Sequence, residues 1–277
     1  MKRKIILLGT STWVIPMFER VASEHEIVAV FTRAPKPAGR KKILTPSPVH
    51  QWADEKNIPV YTNINQIKSA ISNQQSAIDY IVVASYGVIL KDEVLAMAPT
   101  INIHPSDLPA YRGPSPMTTA IYNGNKESAV CLMEVVQEVD AGDVYMREPF
   151  IIGENDTNEI VEKHVAEIGA DMLSKFLKTP ANYPKNPQIG TPTFTRKWTG
   201  ADEIIDWNKT PKQIHDQVRS IGGRTKINGI DCKILETKIT NNELEILRLQ
   251  PAGKKPMDFE SFKNGYLKNA IQINFGI

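Results

Sequence analysis

Residues 5–12 read Ile5-Ile6-Leu7-Leu8-Gly9-Thr10-Ser11-Thr12, behind the basic start Met1-Lys2-Arg3-Lys4. A short apolar run that stops at glycine and small hydroxyl residues reads as a strand buried on both faces and ending in a loop. Four apolar residues are too few for an export segment and far too few to span a bilayer. Comparable runs rich in Ile and Val recur at residues 27–32, 78–84 and 100–103. Between them, residues 13–23, 49–56 and 64–72 have helical length and spacing. The alternation predicts crossover units and a mostly parallel sheet covered by helices. Gly9-Thr10-Ser11-Thr12 lacks the further glycines of a dinucleotide fingerprint, so nothing here supports NAD.

Further along, strands are expected at residues 129–136 and 143–152. A long helix follows, offered caps by Asn155-Asp156-Thr157 and running to about Leu177. From 179 to 199 the prolines Pro180, Pro184, Pro187 and Pro192 read as a linker. Beyond it, residues 211–221 suit a helix, and 231–237 and 244–249 suit short strands. The expected fold class is α/β: a Rossmann-like domain over 1–183, a basic Pro-rich linker over 184–201, and a small β domain over 202–277. With 277 residues, 41% hydrophobic and 23% charged, the composition is that of a soluble globular protein. The net charge of +2 does not by itself argue for nucleic acid. Cys131 and Cys232 lie far apart with no Cys-x-x-Cys pair, which argues against zinc or a disulfide framework and for a reducing cytoplasm.

The densest chemistry lies in Ile101-Asn102-Ile103-His104-Pro105-Ser106-Asp107-Leu108-Pro109-Ala110-Tyr111-Arg112-Gly113. If residues 100–103 end a parallel strand, Asn102 and His104 point to the same side, at the carboxyl edge where open α/β sheets bind ligands. An amide donor beside an imidazole suits a reaction that develops an oxyanion and moves a proton. Taken singly, His104 also reads as a hydrogen-bonded residue at a strand end, and Asn102 as a turn former. Val139-Asp140-Ala141-Gly142-Asp143 falls between two expected strands. It makes a good hairpin turn, and it also offers a carboxylate to fix the His104 tautomer and raise its pKa.

Asn102, His104 and Asp140, with 38 positions from Asn to Asp, resemble the catalytic trio of the folate-dependent formyltransferases. That resemblance implies attack of a substrate amine on the formyl carbon of 10-formyltetrahydrofolate. Asn102 and protonated His104 would stabilise the oxyanion, Asp140 would orient His104 and assist proton removal, and no metal is implied. Ser106-Asp107-Leu108-Pro109-x-x-Arg112-Gly113 is similar to the Ser-Leu-Leu-Pro-x-x-Arg-Gly signature of the methionyl-tRNA formyltransferase branch, with Asp107 in place of the usual Leu. Its first four residues imply a folate site, as does the segment Val82 to Leu90, which resembles the pterin-packing stretch of the same branch. The implied folate contacts are Ser85, Tyr86, Gly87, Val88, Ile89, Ser106, Asp107, Leu108 and Pro109.

Residues 33–42 place Arg33, Lys36, Arg40, Lys41 and Lys42 in ten positions with no acid, among prolines and a glycine that read as an exposed loop. Such a patch neutralises phosphates, or is simply a solvated surface. Pro37-Ala38-Gly39-Arg40-Lys41-Lys42 resembles the loop by which the same branch engages the acceptor stem, which implies initiator Met-tRNA as the partner. The linker, with Lys175, Lys178, Lys185, Arg196 and Lys197 and no acid from 172 to 201, suits either a track for RNA or a soluble connector. Ile205-Asp206-Trp207 and the stretch 249–257 are similar to the OB-like C-terminal domain of the branch, although residues 232–244 are short for such a barrel. The resemblance makes a monomer the default. Two competitors stand beside the reading: a nucleotide-linked amino-sugar N-formyltransferase with the same donor, and a catalytically idle RNA-binding protein.

Overall fold

The structure is a computed structural model that describes residues 2–39, 41–72, 77–267 and 272–276. It divides into two compact units. One comprises Met1–Pro114, Ala129–Phe150 and Glu162–Phe194; the other comprises Ser115–Ser128, Ile151–Val161 and Thr195–Ile277.

In the first unit the chain runs β1 (Lys4–Gly9), α1 (Ile15–Glu24), β2 (Glu26–Phe31), β3 (Lys36–Ala38), β4 (Ile43–Thr45), α2 (Pro48–Glu55), β5 (Val60–Tyr61), α3 (Ile67–Ser72), β6 (Tyr80–Ala84), α4 (Asp92–Leu95) and β7 (Thr100–His104). After α5 (Pro116–Tyr122), which groups with the second unit, come β8 (Glu127–Glu134), β9 (Val144–Ile151) and α6 (Asn158–Lys178). The main sheet has seven strands in the order β5-β2-β1-β6-β7-β8-β9. From β5 to β7 the pairings are parallel, and β8 runs antiparallel to β7. The expected apolar runs are these strands. Their Ile, Val and Leu side chains are fully buried at Ile5, Ile6, Leu7, Leu8, Ile81, Val82 and Ile101, as strands covered on both faces require. Order reverses between β1 and β6, the point where a sheet of this kind opens a crevice for ligands. Helix starts follow local chemistry: the Ser47 hydroxyl accepts from the His50 N–H, and Pro48 occupies the first turn of α2, where a missing N–H costs nothing.

The basic segment is more ordered than a loop. Strands β3 and β4 form a two-stranded antiparallel ribbon with Lys36 opposite Thr45 and Ala38 opposite Ile43. A turn closed by the Lys42 N–H on the Gly39 carbonyl joins them. Three-residue strands with no alternating pattern leave no periodic signal in the sequence.

The second unit contains α7 (Pro211–Ile221), β10 (Gly223–Ile227), β11 (Ile230–Thr240), β12 (Glu243–Pro251), β13 (Met257–Asp258), α8 (Phe259–Tyr266) and β14 (Phe275–Gly276). Its antiparallel sheet has the order β13-β12-β11-β10-β14. Helix α7 opens with a capping box between Thr210 and Gln213. It lays Ile214 and Val218 onto a cluster with Ile205, Ile227, Ile234, Leu249 and Phe262. Asn241 and Asn242 both hold positive φ, 51° and 65°, the backbone of a type I′ hairpin turn. The stretch that looks short for a barrel is therefore one tight hairpin. Asn228-Gly229, at φ 46° and 80°, makes the same kind of turn between β10 and β11; this Asn-Gly pair is the signal by which β10 is readable.

Candidate active site

The groups that meet around His104 all belong to the first unit. Asn102 and His104 lie on β7 opposite Met133 and Cys131 of β8; residues two apart on a strand share a face. His104 is 3% exposed. Its Nε2 lies 3.1 Å from the Tyr111 carbonyl, and because a carbonyl oxygen can only accept, Nε2 carries the hydrogen. Nδ1 faces Asp140 Oδ2 at 3.6 Å, a distance for an ion pair rather than a formed hydrogen bond. The Asn102 side-chain amide has no hydrogen-bond partner among the described residues.

Asp140 sits in the loop between β8 and β9 at φ +51°, a conformation Asp and Asn tolerate better than most residues. Its Oδ2 accepts from the Gly113 N–H at 2.7 Å. Gly142 is required here, since a Cβ at that position would collide with the Glu134 carbonyl. Burial pushes the His104 pKa below its ordinary value, and this outweighs the lift from Asp140 and the Tyr111 carbonyl. Burial thus favours the neutral ring at rest; the protonated ring that the resemblance implies belongs to the stage at which the oxyanion forms. In the neutral ring Nδ1 is bare and faces a carboxylate, so a proton arriving there satisfies both partners at once.

Arg112 is buried and donates to Glu138 Oε1 at 2.9 Å and to Gln188 Oε1 at 2.8 Å. Gln188 in turn donates to the carbonyls of Asp140 and Gly142, each at 2.8 Å. Arg112 and Gly113 stand within the quoted motif. Gln188 carried no signal, because it lies in a stretch that reads as a linker.

The residues implied for the folate fall into two stretches. Ser85, at φ +50°, follows β6 and shares a 2.6 Å hydrogen bond with Ser11 after β1, across the place where strand order reverses. Tyr86 is buried, its phenol pushed up to about 12 by burial. Gly87, Val88 and Ile89 are exposed, Ile89 by 71%. In the second stretch, Ser106 is fully buried and its hydroxyl donates to the Ala110 carbonyl at 2.6 Å. Leu108 packs with Cys131 and Met133. Asp107 forms a two-pronged pair with Arg147 of β9, Nε to Oδ1 and Nη2 to Oδ2, so Arg147 answers the charge that replaces the usual leucine. Asp107, Leu108 and Pro109 border a cavity of about 630 Å³ shared with Cys131, Met146, Arg147 and residues 186–191.

Of the basic residues, Lys36, Lys41 and Lys42 are exposed on the β3–β4 ribbon, alongside Ile43 and Leu44 at 63% and 66% exposure. Arg33 is half-buried with its guanidinium against Gly87; Arg40 lies outside the described residues. In the linker stretch, Lys178 pairs with Glu24, Lys185 with Glu134, and Arg196 with Asp202. Charge unopposed along the sequence is thus opposed in space. Among the described residues no helix is long and apolar enough to cross a membrane. No group of three or more His, Cys, Asp or Glu is placed to hold a metal ion there.

Residues 2–177 match the formyl transferase family, and the chain belongs to it. A methionyl-tRNA formyltransferase of Rickettsia bellii is 34% identical over 95% of this chain and 97% of its own length. Among solved structures, methionyl-tRNA formyltransferase from Clostridium thermocellum superposes with a TM-score of 0.64 at 17% identity, covering 92% of this chain and 99% of that one. The N-formyltransferase of Helicobacter canadensis, in complex with folinic acid and dTDP-3-aminofucose, gives 0.67 at 23%, covering 87% and 89%. The two structural likenesses speak to fold.

Proposed function

We propose that the protein transfers the formyl group of 10-formyltetrahydrofolate to the α-amino group of methionine on initiator Met-tRNA, in translation initiation. The observation that carries the reading is the buried His104 facing Asp140 at 3.6 Å, in a chain related over nearly its whole length to a methionyl-tRNA formyltransferase. As the amine nitrogen bonds to the formyl carbon, the carbonyl oxygen takes up negative charge, and the Asn102 amide donates to it. The attacking nitrogen gives up a proton to His104 Nδ1. Asp140 steadies the resulting imidazolium, whose charge also offsets the oxyanion. When the bond from carbon to the folate nitrogen breaks, His104 returns the proton to that nitrogen, so the ring ends as it began.

The donor site lies along Ser85–Ile89 and Ser106–Pro109. Val88, Ile89, Val136 and Val139 are exposed apolar side chains on two loops rooted in one cluster that holds Tyr86, Leu90 and Val135. They offer apolar surface to the flat rings of the donor, with backbone groups to read its amide-like edge. Lys36, Lys41 and Lys42, with Arg40, supply the phosphate contacts. The protein acts as a monomer in the cytoplasm and without a metal.

Formyl transfer from 10-formyltetrahydrofolate to methionyl-tRNA tests the reading, with His104→Ala and Arg40→Ala beside the wild type. Transfer lost at His104 and weakened at Arg40 is the expected result. A folded wild type that transfers to a nucleotide-linked amino sugar and not to methionyl-tRNA would overturn the acceptor assignment. Salt-dependent RNA binding with no transfer to any amine would overturn the enzyme reading.

A further inference from the structure

Two residues with side chains hold left-handed backbone at the reacting centre: Tyr111 at φ +61° and Asp140 at φ +51°. Each shapes the site directly. The Tyr111 carbonyl receives His104 Nε2, and Asp140 faces Nδ1. Conformations of this kind persist only where the surroundings over-determine them. Both are pinned by one strap, residues 186–194, which belongs to the first unit.

The strap is tied at both ends. Asn186 exchanges two backbone hydrogen bonds with Val144, at 2.8 and 3.0 Å, just after the Asp140 loop. Thr193 donates its N–H to the Pro109 carbonyl and accepts from the Arg112 N–H, at 3.2 and 2.9 Å, in the loop after His104. Between these anchors the Thr193 hydroxyl accepts from the Tyr111 N–H at 2.9 Å, and Gln188 donates to the Asp140 and Gly142 carbonyls. The other end of the Gln188 amide accepts from Arg112 Nε and Nη2, and Arg112 Nη1 reaches Glu138. The catalytic loops are thus cross-linked through one side-chain amide. The substitution Gln188→Glu keeps an acceptor for Arg112 but loses both donors and sets an anion against two carbonyls.

We propose that Gln188 and Thr193 are positioning residues that set the His104–Asp140 geometry by holding the Asp140 and Tyr111 backbones. The proposal rests on His104 and Asp140 being the reacting pair. It makes the segment after α6 part of the active-site scaffold rather than a plain connector.

The test compares Gln188→Leu, Gln188→Glu, Thr193→Val and Thr193→Ser with wild type and Asp140→Asn, measuring kcat and both KM values against pH. Misplacement of a catalytic group by about 1 Å costs up to roughly 100-fold. Gln188→Leu and Gln188→Glu are expected to lower kcat by about 30- to 100-fold, with KM values within about 3-fold. In Gln188→Leu the pH limb belonging to the His104–Asp140 pair moves lower, because the lift from Asp140 weakens. Thr193→Val lowers kcat, and Thr193→Ser, which keeps the hydroxyl, recovers the rate. Wild-type kcat in both Gln188 variants, or a loss confined to KM with an unmoved pH profile, overturns the proposal. If Gln188→Leu does not fold, the Thr193 pair decides: equal rates for Val and Ser overturn it. An unaffected Asp140→Asn would instead indict the reacting-pair reading itself.

Discussion

Replacing Asp140 by Asn removes one charge and little else. Asn keeps an oxygen for the Gly113 N–H and tolerates the φ of +51° as Asp does. What it removes is the interaction with the imidazolium that forms 3.6 Å away. Two unit charges at that separation attract by about 5 kcal/mol at an effective dielectric of about 20. Asp140 keeps 16% of its side chain exposed, and the solvent there trims the figure toward about 3 kcal/mol. The proton-accepting step should therefore slow by about 100-fold to a few thousand-fold. The neutral His104 of the ground state gains little from the carboxylate, so the loss should fall on kcat and leave KM for both substrates within about 3-fold. Single-turnover formyl transfer, followed beside a thermal melt, reads both quantities. A folded Asp140→Asn enzyme that loses less than about 10-fold, or whose loss is all in KM, would refute the charge argument.

Three further outcomes follow from the structure. Lys41→Glu with Lys42→Glu should weaken methionyl-tRNA affinity and flatten its salt dependence by about one unit of slope per lost contact, measured by tRNA titration at several salt concentrations; an unchanged slope removes the ribbon from the RNA path. Arg219 and Asp216 form a buried pair in the second unit, each side chain 4% exposed, with Arg219 also donating to the Asp156 carbonyl. Lys212 Nζ also holds the Asp216 carboxylate, at 3.0 Å, so Arg219→Ala leaves it one cation while the Asp156 carbonyl loses its donor, and should cost about 1–3 kcal/mol in urea denaturation; a cost below about 0.5 kcal/mol would mean that Lys212 and water take over the contacts. Burial pushes His25, His104 and His215 below the ordinary histidine value. As pH falls through about 6.5 the unfolded chain takes up protons the folded chain refuses, so stability should drop from pH 7.5 to pH 5.5. An unchanged or higher urea midpoint at pH 5.5 contradicts that sign.

Some of this was present in the residue order. The central strands announce themselves because a strand covered on both faces needs an unbroken apolar run, and residues 5–8, 27–31 and 80–84 have one. Asn102 and His104 share a face because strand periodicity is two, which requires no tertiary information. Asn241-Asn242 and Asn228-Gly229 encode their hairpins through tolerance of positive φ.

What the order of residues cannot hold is any contact that depends on which distant segments meet. Tertiary packing brings Asp140 to His104, answers Asp107 with Arg147, and matches Lys178 with Glu24, 154 positions away. It also sets two effects against each other at His104: the Asp140 carboxylate lifts the imidazole pKa, and burial among β7, β8 and the following loop lowers it by more. Gln188 shows the limit most clearly, since a polar residue among prolines reads as a solvated linker until its amide is seen to join two loops. Apolar periodicity and turn conformation are local free energies, written within a few residues, and so legible. Desolvation and hydrogen-bond satisfaction depend on everything within a few ångströms, and only the folded chain decides what that is.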